Sequence, residues 1–154
     1  MHSVTDNPDE QAERDAAALA ERCAAAMWAS DQASQSLGIE IAEVSPGRAL
    51  ARLTVTAALV NGHEMAHGGY VFLLADTAFA FACNTYGYVT VAHGAEITFV
   101  APAQQGDELE AVAVERQRAG RNGIYDVTVR RRASGEVVAE FRGHSRQLST
   151  RLVD

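Results

Sequence analysis

The spacing of apolar residues changes several times along the chain, and each change predicts a new element. Leu19, Cys23, Ala26 and Met27 recur on one side of a helical projection, while Glu13, Arg14, Glu21 and Arg22 fall mostly elsewhere. This predicts an amphipathic helix over about residues 8–35, with a break near Ser30-Asp31. Asn7-Pro8-Asp9-Glu10 supplies its start: an Asn cap, a proline at the first helical position and a Glu placed for a capping-box-like pair. Gly38 ends it.

The spacing then shortens to that of strands. Leu37 to Ser45 reads as one strand, with Ile39 and Ile41 on one face, and Leu50 to Thr56 as its return. Between them, Ser45-Pro46-Gly47-Arg48 carries proline and glycine at the central positions of a type II turn. From Tyr70 to Asn84 nearly every position is apolar, which predicts a helix buried on every side. Alanines at 75, 78, 80 and 82 would let it approach a sheet closely.

Three long strands follow, Tyr88 to Val100, Leu109 to Arg118 and Ile124 to Arg132. In the last, Tyr125, Val127 and Val129 face one way and Asp126, Thr128 and Arg130 the other. Gly94 marks a bulge or bend, Ser134-Gly135 a hairpin turn, and Val137 to Leu148 a final strand. No βαβ unit repeats, so the class is α+β, with one long helix on an antiparallel sheet that curls around it.

One residue breaks the apolar helix: Asp76. An ionised carboxylate among Phe72, Leu73, Phe79 and Phe81 is costly unless it is hydrogen-bonded or becomes neutral. Either neighbours such as Thr77 satisfy it, or it faces an interface, or it serves as a general base or nucleophile. Gly68 and Gly69 open the same helix, where unpaired amides and the positive dipole end point outward. They make either a tight turn or an oxyanion site. Eight residues of helix separate Gly68 from Asp76, a rise of roughly 12 Å, too far for both to touch one carbonyl. If they cooperate, they come from two chains related by a two-fold axis.

Composition narrows the function. The 154 residues and 47% hydrophobic content suit one globular domain, residues 37–150, preceded by a helical segment, residues 1–36. A net charge of −7 argues against non-specific nucleic-acid binding. Every cation is arginine, a bias that reflects genome composition more readily than design. Cys23 and Cys83 form no ligand-spaced pair, His63 and His67 have no third metal ligand, and no Gly-x-Ser-x-Gly elbow occurs. No run of about eighteen apolar residues and no basic-then-apolar leader is present, so a cytoplasmic protein with neither metal nor membrane contact is expected.

Asn61, His67-Gly68-Gly69, Leu74-Ala75-Asp76-Thr77-Ala78-Phe79-Ala80 and Ala82-Cys83-Asn84 closely resemble the hotdog-fold acyl-CoA thioesterases of the phenylacetic acid degradation type. Phe99 to Ala103, Gly123-Ile124-Tyr125-Asp126 and Phe141-Arg142-Gly143 extend the resemblance over about residues 35–148. It implies a helix wrapped by an antiparallel sheet, dimers paired through their sheets, and tetramers of those dimers. It further implies Asp76 as the catalytic carboxylate, Gly68 as the amide that polarises the thioester carbonyl, and Asn61 as a holder of water or carbonyl. His67 and Gly69 would shape the loop and Thr77 would support Asp76.

The implied reaction is hydrolysis of an acyl-CoA, phenylacetyl-CoA or a ring-hydroxylated derivative above all, to the free acid and coenzyme A, with no cofactor. Asp76 acts either on water or by direct attack through a mixed anhydride. Arg118, Arg121, Asn122 and Arg142 are candidates for a rim that docks the CoA phosphates, or are simply solvated arginines and an asparagine. A non-catalytic acyl-CoA-binding or regulatory protein of the same fold is the alternative. A dehydratase of that fold would be built on a catalytic histidine, which does not match Asp76.

Overall fold

The structure, a computed structural model, describes residues 7–154, so residues 1–6 of the expected N-terminal segment lie outside the described residues. Helix α1 spans Pro8–Ser30; Asn7 accepts the Asp9 amide at 3.2 Å and Pro8 stands in the first turn. The expected break falls at Asp31, whose carboxylate accepts the Ser34 amide at 3.0 Å and so caps a second helix, α2, Gln32–Ser36. Gly38, at φ +77°, turns the chain out of α2. That turn takes up Leu37 to Ile39, so strand β1 is Glu40–Ser45 and starts later than the apolar pattern indicates.

Strand β2, Arg48–Thr54, returns through the Pro46-Gly47 turn. Gly47 is required there twice over. Its φ is +71°, and a Cβ would stand 3.0 Å from Glu115 Cβ and from Tyr86 Oη.

Helix α3, Gly68–Cys83, precedes β3, Tyr88–Phe99; β4, Glu108–Ala119; β5, Asn122–Arg131; and β6, Val137–Arg151. The six strands form one antiparallel sheet in the order β1-β2-β4-β5-β6-β3, so β1 and β3 are its edges. The register of β3 against β6 shifts between Ala92 and Gly94, the position at which the glycine predicts a bulge. Alternation in β5 is as read: Tyr125, Val127 and Val129 are buried, whereas Asp126, Thr128 and Arg130 face out.

Helix α3 lies across the inner face of the sheet, against β2, β4 and β5 in particular. Val71, Leu74, Ala75, Ala78, Phe79 and Ala82 bury its sheet-facing side. The expectation of burial on every side needs correction. Phe72, Leu73, Asp76 and Ala80 recur at helical spacing and are only half-buried, Phe72 with its ring 5.3 Å from that of Phe141, so the chain leaves the outer side of one apolar stripe uncovered. Ala80 belongs to that stripe, while Ala75, Ala78 and Ala82 are the alanines that meet the core. α1 closes another side, with Ala20 and Cys23 buried and the Trp28 ring 6.4 Å from that of Phe81.

Phe79 anchors the core, its ring centroid 5.6 Å from Tyr125 and 5.8 Å from Phe141. Gly143 on β6 makes room for it: a Cβ there would stand 2.8 Å from the Phe79 ring. We therefore expect Gly143→Ala to destabilise the fold by about 1–3 kcal/mol, the usual cost of overpacking a rigid ring. Urea unfolding monitored by fluorescence checks this, and an unchanged midpoint would contradict it.

Candidate active site

The loop before α3 is held from both sides. His67 N–H donates to the Leu59 carbonyl at 2.8 Å and Ala66 N–H to the Ala103 carbonyl at 2.7 Å. Asn61 closes the turn inside it. Its Oδ1 accepts the amides of His63 at 2.9 Å and Met65 at 3.2 Å, while Glu64 adopts a left-handed φ of 61°. With Oδ1 occupied, the end of the Asn61 side chain without a partner among the described residues is its Nδ2 donor. That end suits an oxygen acceptor such as a carbonyl or a water lone pair.

His67 is the N-cap of α3, and its Nδ1 accepts the Gly69 amide at 2.9 Å. Nδ1 is therefore unprotonated in this arrangement, and the imidazole proton sits on Nε2. The two glycines consequently differ. The Gly69 amide is taken by His67, whereas the Gly68 amide has no acceptor among the described residues. Gly68 N–H is left as a single outward donor at the positive end of α3.

Phe99, at the end of β3, lies over Gly68: a Cβ on that glycine would meet the ring at 3.0 Å. Beside them is an open cavity of about 350 Å³ whose lining includes Asn61, Met65, Gly68, Val71, Phe99 and Pro102. The sequence gives Phe99 no role beyond its place in the Phe99 to Ala103 stretch. Its signal was an aromatic closing a strand immediately before the Val100-Ala101-Pro102 turn, but its nearness to Gly68 follows from a long-range strand pairing.

Asp76 lies on the uncovered stripe of α3, two turns from Gly68. Burial pushes its carboxyl above the ordinary carboxylate range, and no donor among the described residues reaches it. Thr77 does not supply that donor. It is buried, and its Oγ1 lies 3.0 Å from Ser34 Oγ of α2, because the residue after Asp76 on a helix points about 100° away from it. Thr77 thus ties α3 to α2, and the expected direct support of Asp76 is corrected.

The candidates for CoA docking separate into two places. Arg118, Arg121 and Asn122 gather beside the C-terminal end of α3, lining a small cleft with Cys83, Tyr86 and Tyr125. The Arg118 guanidinium stacks 3.5 Å above the centre of the Tyr86 ring and lies 3.8 Å from Glu115. Arg121 accepts the Gln147 amide on its carbonyl at 2.7 Å, and Asn122 accepts Arg146 at 3.2 Å.

Arg142 is elsewhere. Its neighbours Phe141 and Gly143 point inward, so strand alternation puts it on the outer face, away from α3. There it grips Asp126 in a two-pronged pair at 2.7 and 2.8 Å, which holds the Asp126 carboxyl below its usual range. Of the four candidates, Arg118, Arg121 and Asn122 therefore share one cleft and Arg142 stands apart from it.

Burial pushes the Cys83 thiol up to about 12, so it is a packing residue and not a nucleophile. Among the described residues no group of three His, Cys, Asp or Glu side chains is arranged to hold a metal ion. Among them, too, no helix is long and apolar enough to cross a membrane.

Comparison with known proteins agrees with this fold. The model of the thioesterase superfamily matches residues 63–138, which include Gly68, Asp76 and Phe99. The acyl-coenzyme A thioesterase PaaI of Escherichia coli K12 is 42% identical over 123 residues, 80% of this chain and 87% of that protein. The solved structure of the E. coli PaaI protein from the phenylacetic acid degradation operon superposes with a TM-score of 0.85 at 39% identity, covering 88% of this chain and 97% of that one. A mutant of the phenylacetic acid degradation protein PaaI of Thermus thermophilus superposes with a TM-score of 0.73 at 36% identity, covering 77% and 100%. The six-stranded sheet, its central helix and this likeness together show that the chain belongs to the hotdog-fold thioesterase superfamily, as a thioester hydrolase similar to PaaI.

Proposed function

We propose that the protein hydrolyses an aryl-type acyl-CoA, phenylacetyl-CoA or a ring-hydroxylated phenylacetyl-CoA, to the free acid and coenzyme A. One observation carries the reading. A half-buried carboxylate, Asp76, and a helix-end amide, Gly68, neither with a partner among the described residues, stand on one helix at a separation of roughly 12 Å. One thioester needs the amide at its carbonyl oxygen and the carboxylate at the water that attacks its carbonyl carbon, so each site takes Gly68 from one chain and Asp76 from another.

A two-fold dimer meets that need. The outer edge of β3 is free to pair with β3 of a second copy, which would continue the sheet and set the two α3 stripes antiparallel. Each Gly68 then approaches the other chain's Asp76. The same arrangement brings Arg118, Arg121 and Asn122, at the C-terminal end of one α3, toward the Gly68 end of the other. There they serve as the docking rim for CoA phosphates. We take the dimer as the catalytic unit and a tetramer of two such dimers as the assembly.

In the reaction, the thioester carbonyl oxygen accepts from Gly68 N–H, with Asn61 Nδ2 donating to that oxygen or to the water. Asp76 takes a proton from the water as its oxygen bonds to the carbonyl carbon. The tetrahedral intermediate then collapses with cleavage of the C–S bond, and the proton passes to the departing sulfur. Water and protein groups suffice, so no cofactor enters. His67 holds the Gly69 amide and the loop. We assign the enzyme to the cytoplasm, in keeping with two buried free thiols, Cys23 and Cys83.

Thiol release from a panel of aryl and aliphatic acyl-CoAs tests the reading. Turnover with preference for phenylacetyl-type substrates is expected; tight acyl-CoA binding without thiol release would support the non-catalytic alternative instead. The pH profile adds a second check. Asp76 must be ionised to act as base and its carboxyl is raised by burial, so kcat should fall as pH drops through a value above the ordinary aspartate pKa of about 3.9. A rate that stays flat down to that ordinary value would exclude Asp76 as the base.

A further inference from the structure

Phe99 is 54% exposed in the single chain, a large aromatic surface at the end of an edge strand. It is also close to the proposed chemistry: its ring carbons lie 3.0–3.5 Å from the point where a Cβ on Gly68 would stand. An acyl carbonyl that accepts from Gly68 N–H at about 2.9 Å brings its substituent to the cavity wall that Gly68 and Phe99 share. The substituent has an apolar space to enter. The adjoining cavity of about 350 Å³ includes Met65, Val71, Pro102 and Val138 in its wall. A cavity of roughly 150 Å³ already holds benzene.

We propose that Phe99 determines acyl specificity, presenting its ring to a flat aromatic acyl group and favouring it over an aliphatic one; this rests on the thioesterase reading above. Two effects produce the preference. An aromatic group beside Phe99 gains the offset or edge-to-face attraction of paired rings in addition to buried area. A flexible alkyl chain gains area alone and loses rotamer freedom on ordering. Because Phe99 covers Gly68 at its helix N-terminus, ring selection occurs beside the amide that binds the carbonyl. Acyl choice is thereby coupled to placement of the reacting oxygen.

The test uses two ketone analogues that cannot be hydrolysed, the phenacyl and acetonyl thioethers of coenzyme A, with dissociation constants measured by calorimetry on the full chain. The wild type should prefer the phenacyl compound. Phe99→Leu, which keeps apolar bulk without a ring, should lose about tenfold of that preference, ~1.4 kcal/mol, with acetonyl binding changed by less than about twofold. Phe99→Tyr, which keeps the ring, should retain the preference.

A wild type with no preference, or a preference that survives in Phe99→Leu, overturns the proposal. Thiol release assayed alongside separates the two claims. Ring-dependent binding without hydrolysis refutes the thioesterase reading and leaves Phe99 its role; hydrolysis with a ring-independent preference does the reverse.

Discussion

Asp76→Asn is expected to lower kcat by about 10³-fold while raising the stability of the fold at neutral pH. The loss of rate follows from removal of the one group on the uncovered stripe of α3 that can take a proton from water. The gain in stability follows from the direction of the carboxyl shift. Burial raises the Asp76 pKa in the folded chain, so the folded state favours the neutral form relative to the unfolded chain. Stability contributed by this group therefore falls as pH rises from the unfolded pKa through the folded one, and the deficit is complete above both. Asparagine is neutral throughout. The mutant should melt above the wild type at neutral pH, and the difference should vanish below the unfolded carboxylate pKa. Thermal melts at two pH values, with kcat measured on the same preparations, check both halves. A mutant that is inactive but destabilised at neutral pH would mean that Asp76 is a structural partner of some group in the assembly.

Gly68→Ala should lower kcat/KM by about 10²-fold with little change in stability, because it acts on the oxyanion donor. The added methyl would stand 3.0 Å from the Phe99 ring, so either the ring or the helix end must shift, and the Gly68 amide loses its aim. Helix propensity works in the opposite direction, since alanine is better than glycine in a helix by up to about 1 kcal/mol, which offsets part of the crowding. Gly69→Ala is the internal control. Its methyl would approach His67 Nδ1 at 3.1 Å, and its amide is already engaged by that nitrogen, so less than about tenfold should be lost. Equal losses at the two glycines would contradict the distinction between a free and a capped amide.

Much of this arrangement is legible in the chain, and what is not has physical causes. Alternation along Tyr125, Val127 and Val129, the type II turn at Gly47 and the helix break near Ser30-Asp31 are local signals, and each is obeyed by the fold. The uncovered stripe of α3 is not local. Phe72 and Leu73 are as apolar as Val71 and Leu74, and periodicity cannot separate a face that meets its own sheet from one that meets another chain.

Thr77 presents a similar case, since its partner Ser34 comes from a helix far away in sequence. Arg142 differs from both. Phe141 and Gly143 flank it on a strand, so period-two alternation alone was enough to put it on the outer face. Phe99 comes to lie over Gly68 only because β3 crosses to the edge beside β6, with a bulge near Gly94 that changes its register.

The central claim is that each site is built from two chains, and mixing two inactive variants tests it most directly. Asp76→Asn chains keep an intact Gly68, and Gly68→Ala chains keep an intact Asp76. In a mixed dimer, one site carries both defects and the other carries none. Denatured together in equal amounts and refolded, the two variants should regain about a quarter of wild-type activity, since half the dimers are mixed and each has one intact site of two. If the mixture stays at the level of the separate variants, Gly68 and Asp76 serve one carbonyl within a single chain or do not cooperate at all, and the shared-site account is wrong.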